Sequence, residues 1–309
     1  MRLVVALGGN AMTSSDGLAR PGDQIAAARR AAARIAEVVA TGAEVVVTHG
    51  NGPQVGNLLV KNELAAAVVP PVPLDWCGAQ TQGTLGFILV NALERHLRRP
   101  VAALVTRTLV DPDDGNFAAP SKPIGRYLPR AEAQVMIDHG QVWQDRGDRG
   151  WRRVVASPEP VDVLDAPAVA ALLSAGFVVV ADGGGGIPVA RDRNGALCGV
   201  EAVIDKDLSA ALLARTIGAS VLAIATDVAA VALDWNTPRA RPLGAIDAKQ
   251  LRAYAAAGHF APGSMGPKVE AACRFVEQGG DRAVICDLDH IAAAVAGRAG
   301  TVVTGKDER

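Results

Sequence analysis

The stretch EVVVTHGNGPQVGN, residues 44–57, opens on a short apolar run, 44–48, centred on Val45, Val46 and Val47. A continuous run of β-branched residues this short is the pattern of a strand buried on both faces, as in parallel sheets. It gives way at once to ten residues, 48–57, that hold three glycines, one proline and two asparagines. That is more turn-forming residue than a plain connection needs. A buried strand running into such a loop is where α/β sheets bind ligands.

The same alternation extends outward in both directions. Before it lie an Ala-rich helical pattern at 24–40 and the run LVVAL at 3–7, which ends directly on Gly8 and Gly9. After it come apolar runs at 101–106, 177–181, 220–225 and 283–286. Helical patterns separate them at 85–97, 166–175, 207–217, 248–257 and 268–278. This spacing predicts an α/β fold with an open, mostly parallel sheet sandwiched by helices and right-handed crossovers. Residues 112–160 break the rhythm. They are rich in Pro, Gly, Trp and charge and predict a small protruding subdomain or lid. No fixed-period repeat is present, and the closing GKDER reads as a polar tail.

Composition narrows the function. The 309 residues carry 31 Lys plus Arg against 32 Asp plus Glu, a net charge of −1, and are 50% hydrophobic but only 4% aromatic. That hydrophobicity excludes intrinsic disorder, and the balanced charge argues against nucleic-acid or membrane-surface partners. The opening run of five is far short of a secretory segment, and no apolar stretch approaches the roughly 20 residues of a membrane span. A soluble, cytoplasmic protein is expected. Cys77, Cys198, Cys273 and Cys286 form no CxxC pair and read as reduced, buried thiols.

Three glycine-rich loops follow three predicted strands: Gly8-Gly9-Asn10, the 48–57 loop, and Asp182 with the four glycines 183–186. Each alone could be a tight turn. Together they suggest one crevice lined with backbone N–H donors, where glycine lets a ligand come close. His49 at a strand end reads as a hydrogen-bonded structural residue. Asn51 and the neighbouring amides better suit a small carboxylate-like substrate. Charge comes from Asp205-Lys206-Asp207 and from Lys268 after Gly263-Ser264-Met265-Gly266-Pro267, each at the start of a predicted helix. The macrodipole disfavours lysine there, so two such lysines ask for an anion. Lys122 between Ser121 and Pro123 is a third candidate, its solvated alternative weakened by rigid flanks. Lysines, glycine loops and an Asp to position the lysines suffice for phosphoryl transfer, which needs positioning and charge more than covalent help. No GxSxG elbow, HExxH, Walker loop or Cys/His cluster offers another chemistry.

Over nearly its whole length the chain resembles the carbamate kinases of the amino-acid-kinase fold. The resemblance is carried by VVALGGNA (4–11), HGNGPQVGNLL (49–59), PLDWCGAQTQGTLGF (73–87), SKPIG (121–125), DRGWRRVV (148–155), GGGGIPV (183–189), GVEAVIDKDLSAALLA (199–214) and GHFAPGSMGPKVEAA (258–272). It implies the reaction ATP + carbamate ⇌ ADP + carbamoyl phosphate by direct in-line transfer, run toward ATP in arginine, agmatine or purine breakdown. Lys206 and Lys268 would stabilise the transferring phosphoryl group, Asp207 would hold both ammonium groups, and Lys122 would close over the carbamoyl substrate. Gly8, Gly9 and Asn10 would meet phosphate oxygens, and Gly50, Asn51 and Gly52 the carbamate. Gly184 and Gly185 would back the crevice, with Thr226, Asp227, Val228 and Met265 beside the nucleotide. Mg²⁺ would arrive with ATP or ADP, with no dedicated protein ligand. The resemblance also implies a single unit of two lobes, a carbamate-side lobe at about 1–215 and a nucleotide-side lobe at about 216–309. It implies a homodimer as well.

Three positions depart from the family pattern. Asp182 stands where relatives often carry Ser or Cys. Trp235-Asn236-Thr237-Pro238 replaces an aromatic residue followed by Gly and Pro, and Ala229 replaces an acid. Two further readings stay open. One is a kinase of the same fold with another carboxylate acceptor, which the small glycine-lined loops disfavour. The other is a nucleotide-binding regulator without catalysis, which the intact lysines disfavour.

Overall fold

The computed structural model describes residues 1–13, 19–65, 68–138, 140–261 and 263–305, apart from the side chains of Asn10 and Ala11. The first half of the chain holds β1 (Arg2–Leu7), β2 (Glu44–His49), β3 (Val101–Ala103), β4 (Arg107–Val110), β5 (Lys122–Leu128), β6 (Trp143–Asp145) and β7 (Trp151–Val155). The remaining strands are β8 (Pro160–Val163), β9 (Val178–Val180), β10 (Ile187–Arg191), β11 (Leu197–Gly199), β12 (Val221–Thr226), β13 (Ala232–Leu233), β14 (Arg241–Pro242), β15 (Ala245–Asp247), β16 (Arg282–Asp287) and β17 (Thr301–Thr304). The helices are α1 (Pro21–Val39), α2 (Gly52–Ala65), α3 (Leu74–Leu93), α4 (Gly115–Ala118) and α5 (Arg130–Asp138). They continue with α6 (Ala166–Ser174), α7 (Lys206–Thr216), α8 (Ala248–Ala256), α9 (Met265–Glu277) and α10 (Ile291–Val295).

Eight strands form the main sheet in the order β15-β17-β16-β12-β1-β2-β9-β3, and only the β16–β17 pairing is antiparallel. The strands alternate strictly between two apolar layers, as the period of two demands. Val4 and Ala6 of β1, Leu222 and Ile224 of β12, and Ala283 and Ile285 of β16 pack with α6, α7, α8 and α9. Leu3, Val5 and Leu7, Val221, Ala223 and Ala225, and Val284 and Cys286 pack with α1, α3 and α10. Alanines 28, 31 and 32 on α1 give the aromatic-poor chain a close-packed layer. The α/β sandwich expected from the alternation is therefore present.

Smaller sheets are added around this frame. β11-β10-β4-β8 form a second sheet, β5-β7-β6 a third, and β13 pairs with β14. Several element boundaries differ from the sequence expectation. The 101–106 run contributes only β3, because Thr106 turns the chain into β4 of the second sheet. The helix expected from residue 85 begins at Leu74, after Pro73. The glycine-rich 48–57 stretch is loop only up to Asn51, since Gly52 starts α2 with Pro53 in its first turn, where a missing N–H costs nothing. Cys198 is exposed on β11, whereas the other three cysteines are buried. The last four residues of GKDER lie outside the described residues.

Register sets where the site forms. Leu7 lies opposite both His49 and Ala225, so β1 and β2 end level and β12 runs one residue further, to Thr226. Gly8 N donates to Ala225 O at 2.9 Å and Gly50 N to Leu7 O at 3.0 Å. The glycines that follow β1 and β2 are thereby brought to one edge of the sheet.

Candidate active site

The charged centre is assembled by two helix starts. Asp205 caps α7, its Oδ1 accepting from the backbone N–H of Asp207 at 3.0 Å and of Leu208 at 3.4 Å. That cap puts Lys206 and Asp207 in the first turn. Lys206 Nζ then donates to Asp207 Oδ1 at 2.6 Å, and Lys268, from the first turn of α9, to Asp207 Oδ2 at 2.9 Å. Burial works to raise the Asp207 pKa, but the two ammonium charges and their hydrogen bonds outweigh it and hold the carboxyl below its usual value. One carboxylate against two ammonium groups leaves a net positive charge. It sits at the positive ends of two helices of 11 and 13 residues, a place built for an anion.

Glycine walls face this charge. A Cβ at Gly50 would stand 2.8 Å from Gly9 Cα, so the first two loops touch only because residue 50 is glycine. Gly184 has φ +71°, and a Cβ there would lie within the Asn51 side chain. Asn51 itself is held by Nδ2 donation to Thr81 Oγ1 at 2.9 Å. Gln82 ties the third loop down, its Nε2 donating to Gly183 O at 2.9 Å and to Thr106 O at 3.1 Å. On the other side Lys122, first residue of β5, reaches Asp205 Oδ2 at 3.1 Å.

These groups line a cleft of about 1100 Å³ that brings together Gly8, Gly9, Gly50, Asn51, Gly52, Gly184, Lys122, Lys206, Asp207 and Lys268. Thr226, Asp227, Val228 and Met265 line it too. A second chamber of about 710 Å³ shares Asn51, Gly52, Lys122 and Gly184 with it and adds Arg126 and Arg152. Gly185 does not line either chamber; it is buried, where a Cβ would stand 2.9 Å from the Ile204 carbonyl. The Asn10 side chain lies outside the described residues. His49 is buried, its Nδ1–H donating to Gly50 O at 3.1 Å, and burial lowers its pKa to about 4. It is a neutral structural group.

Sequence reasoning missed part of the wall. Asp205 was read only as the start of a helix, although an Asp at N-cap is a recognisable signal; its hold on Lys122 spans residues 83 apart. Arg30, Trp235, His259 and Phe260 also line the larger chamber. Trp235 stands out locally only as a departure from the family pattern, and His259 and Phe260 only as part of the 258–272 string; no spacing places these three or Arg30 on the wall.

The chain belongs to the amino acid kinase family, whose model matches residues 1–287. Within that family its similarity is to the carbamate kinases. It is 44% identical over 311 aligned residues to the carbamate kinase of Thermococcus kodakarensis, covering 98% of each chain. A solved structure of carbamate kinase from Giardia lamblia bound to AMP-PNP is 37% identical, with a TM-score of 0.93 over 99% of this chain and 98% of that one. A structure from Aeropyrum pernix K1 is 42% identical, with a TM-score of 0.95 over 99% of this chain and 100% of the other.

Proposed function

We propose that the protein catalyses ATP + carbamate ⇌ ADP + carbamoyl phosphate by direct, in-line phosphoryl transfer. The observation that carries this reading is Asp207 bridging Lys206 and Lys268 at the edge where three glycine loops meet. In the ATP-forming direction, an ADP β-phosphate oxygen attacks phosphorus and the bond from phosphorus to the carbamoyl oxygen breaks. Carbamate leaves already as an anion. No proton has to move, which fits a cleft built of ammonium groups and amides, with neutral His49 buried behind it.

Lys206 and Lys268 would carry the charge of the transferring group, and Asp207 would fix the gap between them. Gly8, Gly9 and Asn10 would meet phosphate oxygens, and Gly50, Asn51 and Gly52 the carbamoyl end, backed by Gly184 and Gly185. Thr226, Asp227, Val228 and Met265 would flank the nucleotide. Lys122 would exchange its Asp205 partner for the carbamoyl substrate. The lysines and amides of the cleft suit phosphate oxygens, and the lining carboxylates Asp205 and Asp207 are bonded to lysines; Mg²⁺ would arrive with the nucleotide substrate and neutralise its phosphates there.

We further read the chain as two lobes, about 1–215 and about 216–309, with 112–160 as a lid. The separate β5-β7-β6 sheet, with Lys122 at its start, supports this. A homodimer is supported by α3, whose outward stripe exposes Trp76 at 60% and Phe87 at 67%. A cytoplasmic setting is supported by four cysteines without a disulfide; no helix among the described residues is long and apolar enough to cross a membrane. The catabolic, ATP-forming direction is part of the same proposal and comes from the family resemblance alone.

The deciding experiment mixes the protein with ADP, Mg²⁺ and carbamoyl phosphate and reads ATP by luciferase against an enzyme-free blank. Fast protein-dependent ATP formation is expected. ADP binding without ATP formation would point to a different acceptor or to a regulator.

A further inference from the structure

The four glycines 183–186 are entered through Asp182, a fully buried residue in the left-handed region at φ 56°. Its backbone is pinned on both sides. The N–H donates to Thr106 Oγ1 at 2.7 Å, and the carbonyl accepts from Thr48 Oγ1 at 2.7 Å. In the side chain, Oδ1 accepts from Ser209 Oγ of α7 at 2.9 Å and from Thr108 Oγ1 of β4 at 3.4 Å. Oδ2 is buried and has no hydrogen-bond partner among the described residues. One carboxyl thus joins the glycine turn to the helix that presents Lys206 and Asp207, two residues before Ser209.

Among the described residues no cation stands ready to balance a charge on it. On α7, Lys206 is taken by Asp207, and Asp205 is itself an acid paired with Lys122. On β4, Arg107 is paired with Asp165. On β2, His49 is neutral, and α3 offers only the amide of Gln82 and the hydroxyl of Thr81. An ionised carboxylate with one oxygen buried and unbonded is costly. Burial accordingly pushes the Asp182 carboxyl up to about 7, against the lowering pull of Ser209 and Thr108.

We propose that Asp182 is a positioning residue that works as the neutral carboxylic acid, holding the glycine turn and the start of α7 in one arrangement, and that loss of its proton uncouples them. The kinetic part of the test rests on the carbamoyl phosphate reading of the cleft; the stability part does not. Asp182→Asn keeps the shape and an acceptor for Ser209 but cannot ionise. For the native protein, KM for carbamoyl phosphate rises roughly 20-fold from pH 6.5 to 8.5, as the competent protonated fraction shrinks. In the Asn variant it stays nearly flat over the same range. Thermal unfolding gives the second readout: the Tm advantage of the Asn variant over the native protein is larger at pH 8.5 than at pH 5.5, because the native carboxyl gives up stability as pH rises from 3.8 to about 7. Asp182→Ser serves the same comparisons if the Asn variant does not fold. An alkaline rise in KM that persists in the variant, or a Tm difference equal at both pH values, overturns the proposal. If carbamoyl phosphate is not turned over at any pH, the functional reading fails and the Tm comparison still decides the role of Asp182.

Discussion

Lys122 Nζ stands 3.1 Å from Asp205 Oδ2, while Asp205 Oδ1 caps the helix that begins with Lys206. One carboxylate therefore fixes the start of α7 and holds the lysine supplied by the small sheet. Substitution separates the two jobs. Asp205→Asn keeps a capping oxygen and drops the charge, whereas Asp205→Ala drops both. The alanine variant loses about 1 kcal/mol in denaturant unfolding and the asparagine variant much less. In the Asn variant the freed Lys122 lowers KM for carbamoyl phosphate by up to about fivefold, the worth of a half-exposed ion pair. An unchanged KM would mean that Lys122 does not exchange partners.

Lys206→Met and Lys268→Met each leave Asp207 one partner, so both should fold. Each removes a charge-bearing donor from the transferring group, and kcat should fall about 10²–10³-fold or further. Asp207→Asn should be nearly as damaging, because two ammonium groups lose their common anchor. Saturating-substrate rates paired with thermal melts check this. A loss of Tm matching the loss of rate would make the lysines structural.

Lys122→Ala should raise KM for carbamoyl phosphate by about 10- to 100-fold, the loss of one charged hydrogen bond. KM for ADP should not move. Initial rates with each substrate varied in turn separate the two, and an effect on ADP alone would reject the lid.

Gly184→Ala tests the third loop. With φ at +71° and the Asn51 side chain occupying the Cβ position, the variant must shift either the turn or Asn51. The expected cost is about 1–3 kcal/mol of stability, with a loss of carbamoyl phosphate affinity. Denaturant melts and KM measurements report each part.

His49 predicts an acid limb in stability. Its pKa falls from 6.5 to about 4 on burial, so the unfolded chain binds the proton more readily in that window. Stability from this group is complete above pH 6.5 and is lost as pH falls toward 4, by about 3 kcal/mol. Asp182 titrates with the opposite sign between 3.8 and about 7. The informative quantity is therefore the difference between the native protein and His49→Gln across pH 4–7. A constant difference would remove His49 from the account.

What could be read from the sequence follows burial. β2 was legible because Val45, Val46 and Val47 are buried on both faces and leave an unbroken apolar run. β17 was not, since it is a strand of four residues in which only Val302 and Val303 are apolar. α2 was hidden by Gly52, Pro53 and Gly56, which read as turn residues although two of them stand in its first turn. In the site, Lys206, Asp207 and Lys268 were legible from helix-start spacing. The Asp205–Lys122 pair and the wall made by Trp235, His259 and Phe260 depend on long-range packing that no local pattern encodes.

The central position of β1 bears on how the chain is made. β1 pairs on one side with β2, soon after it in the chain, and on the other with β12. About 170 residues separate the end of β2 from the start of β12. At typical ribosomal speeds of about 5–20 residues per second, that is an interval of about 10–35 s. Throughout it the nascent chain exposes one unpaired edge, apolar from Leu3 to Leu7, a template for misdirected strand addition. Cellular yield is then governed by how well that edge is shielded until Thr226 emerges, and a chain cut short before β12 should aggregate rather than persist as a soluble half.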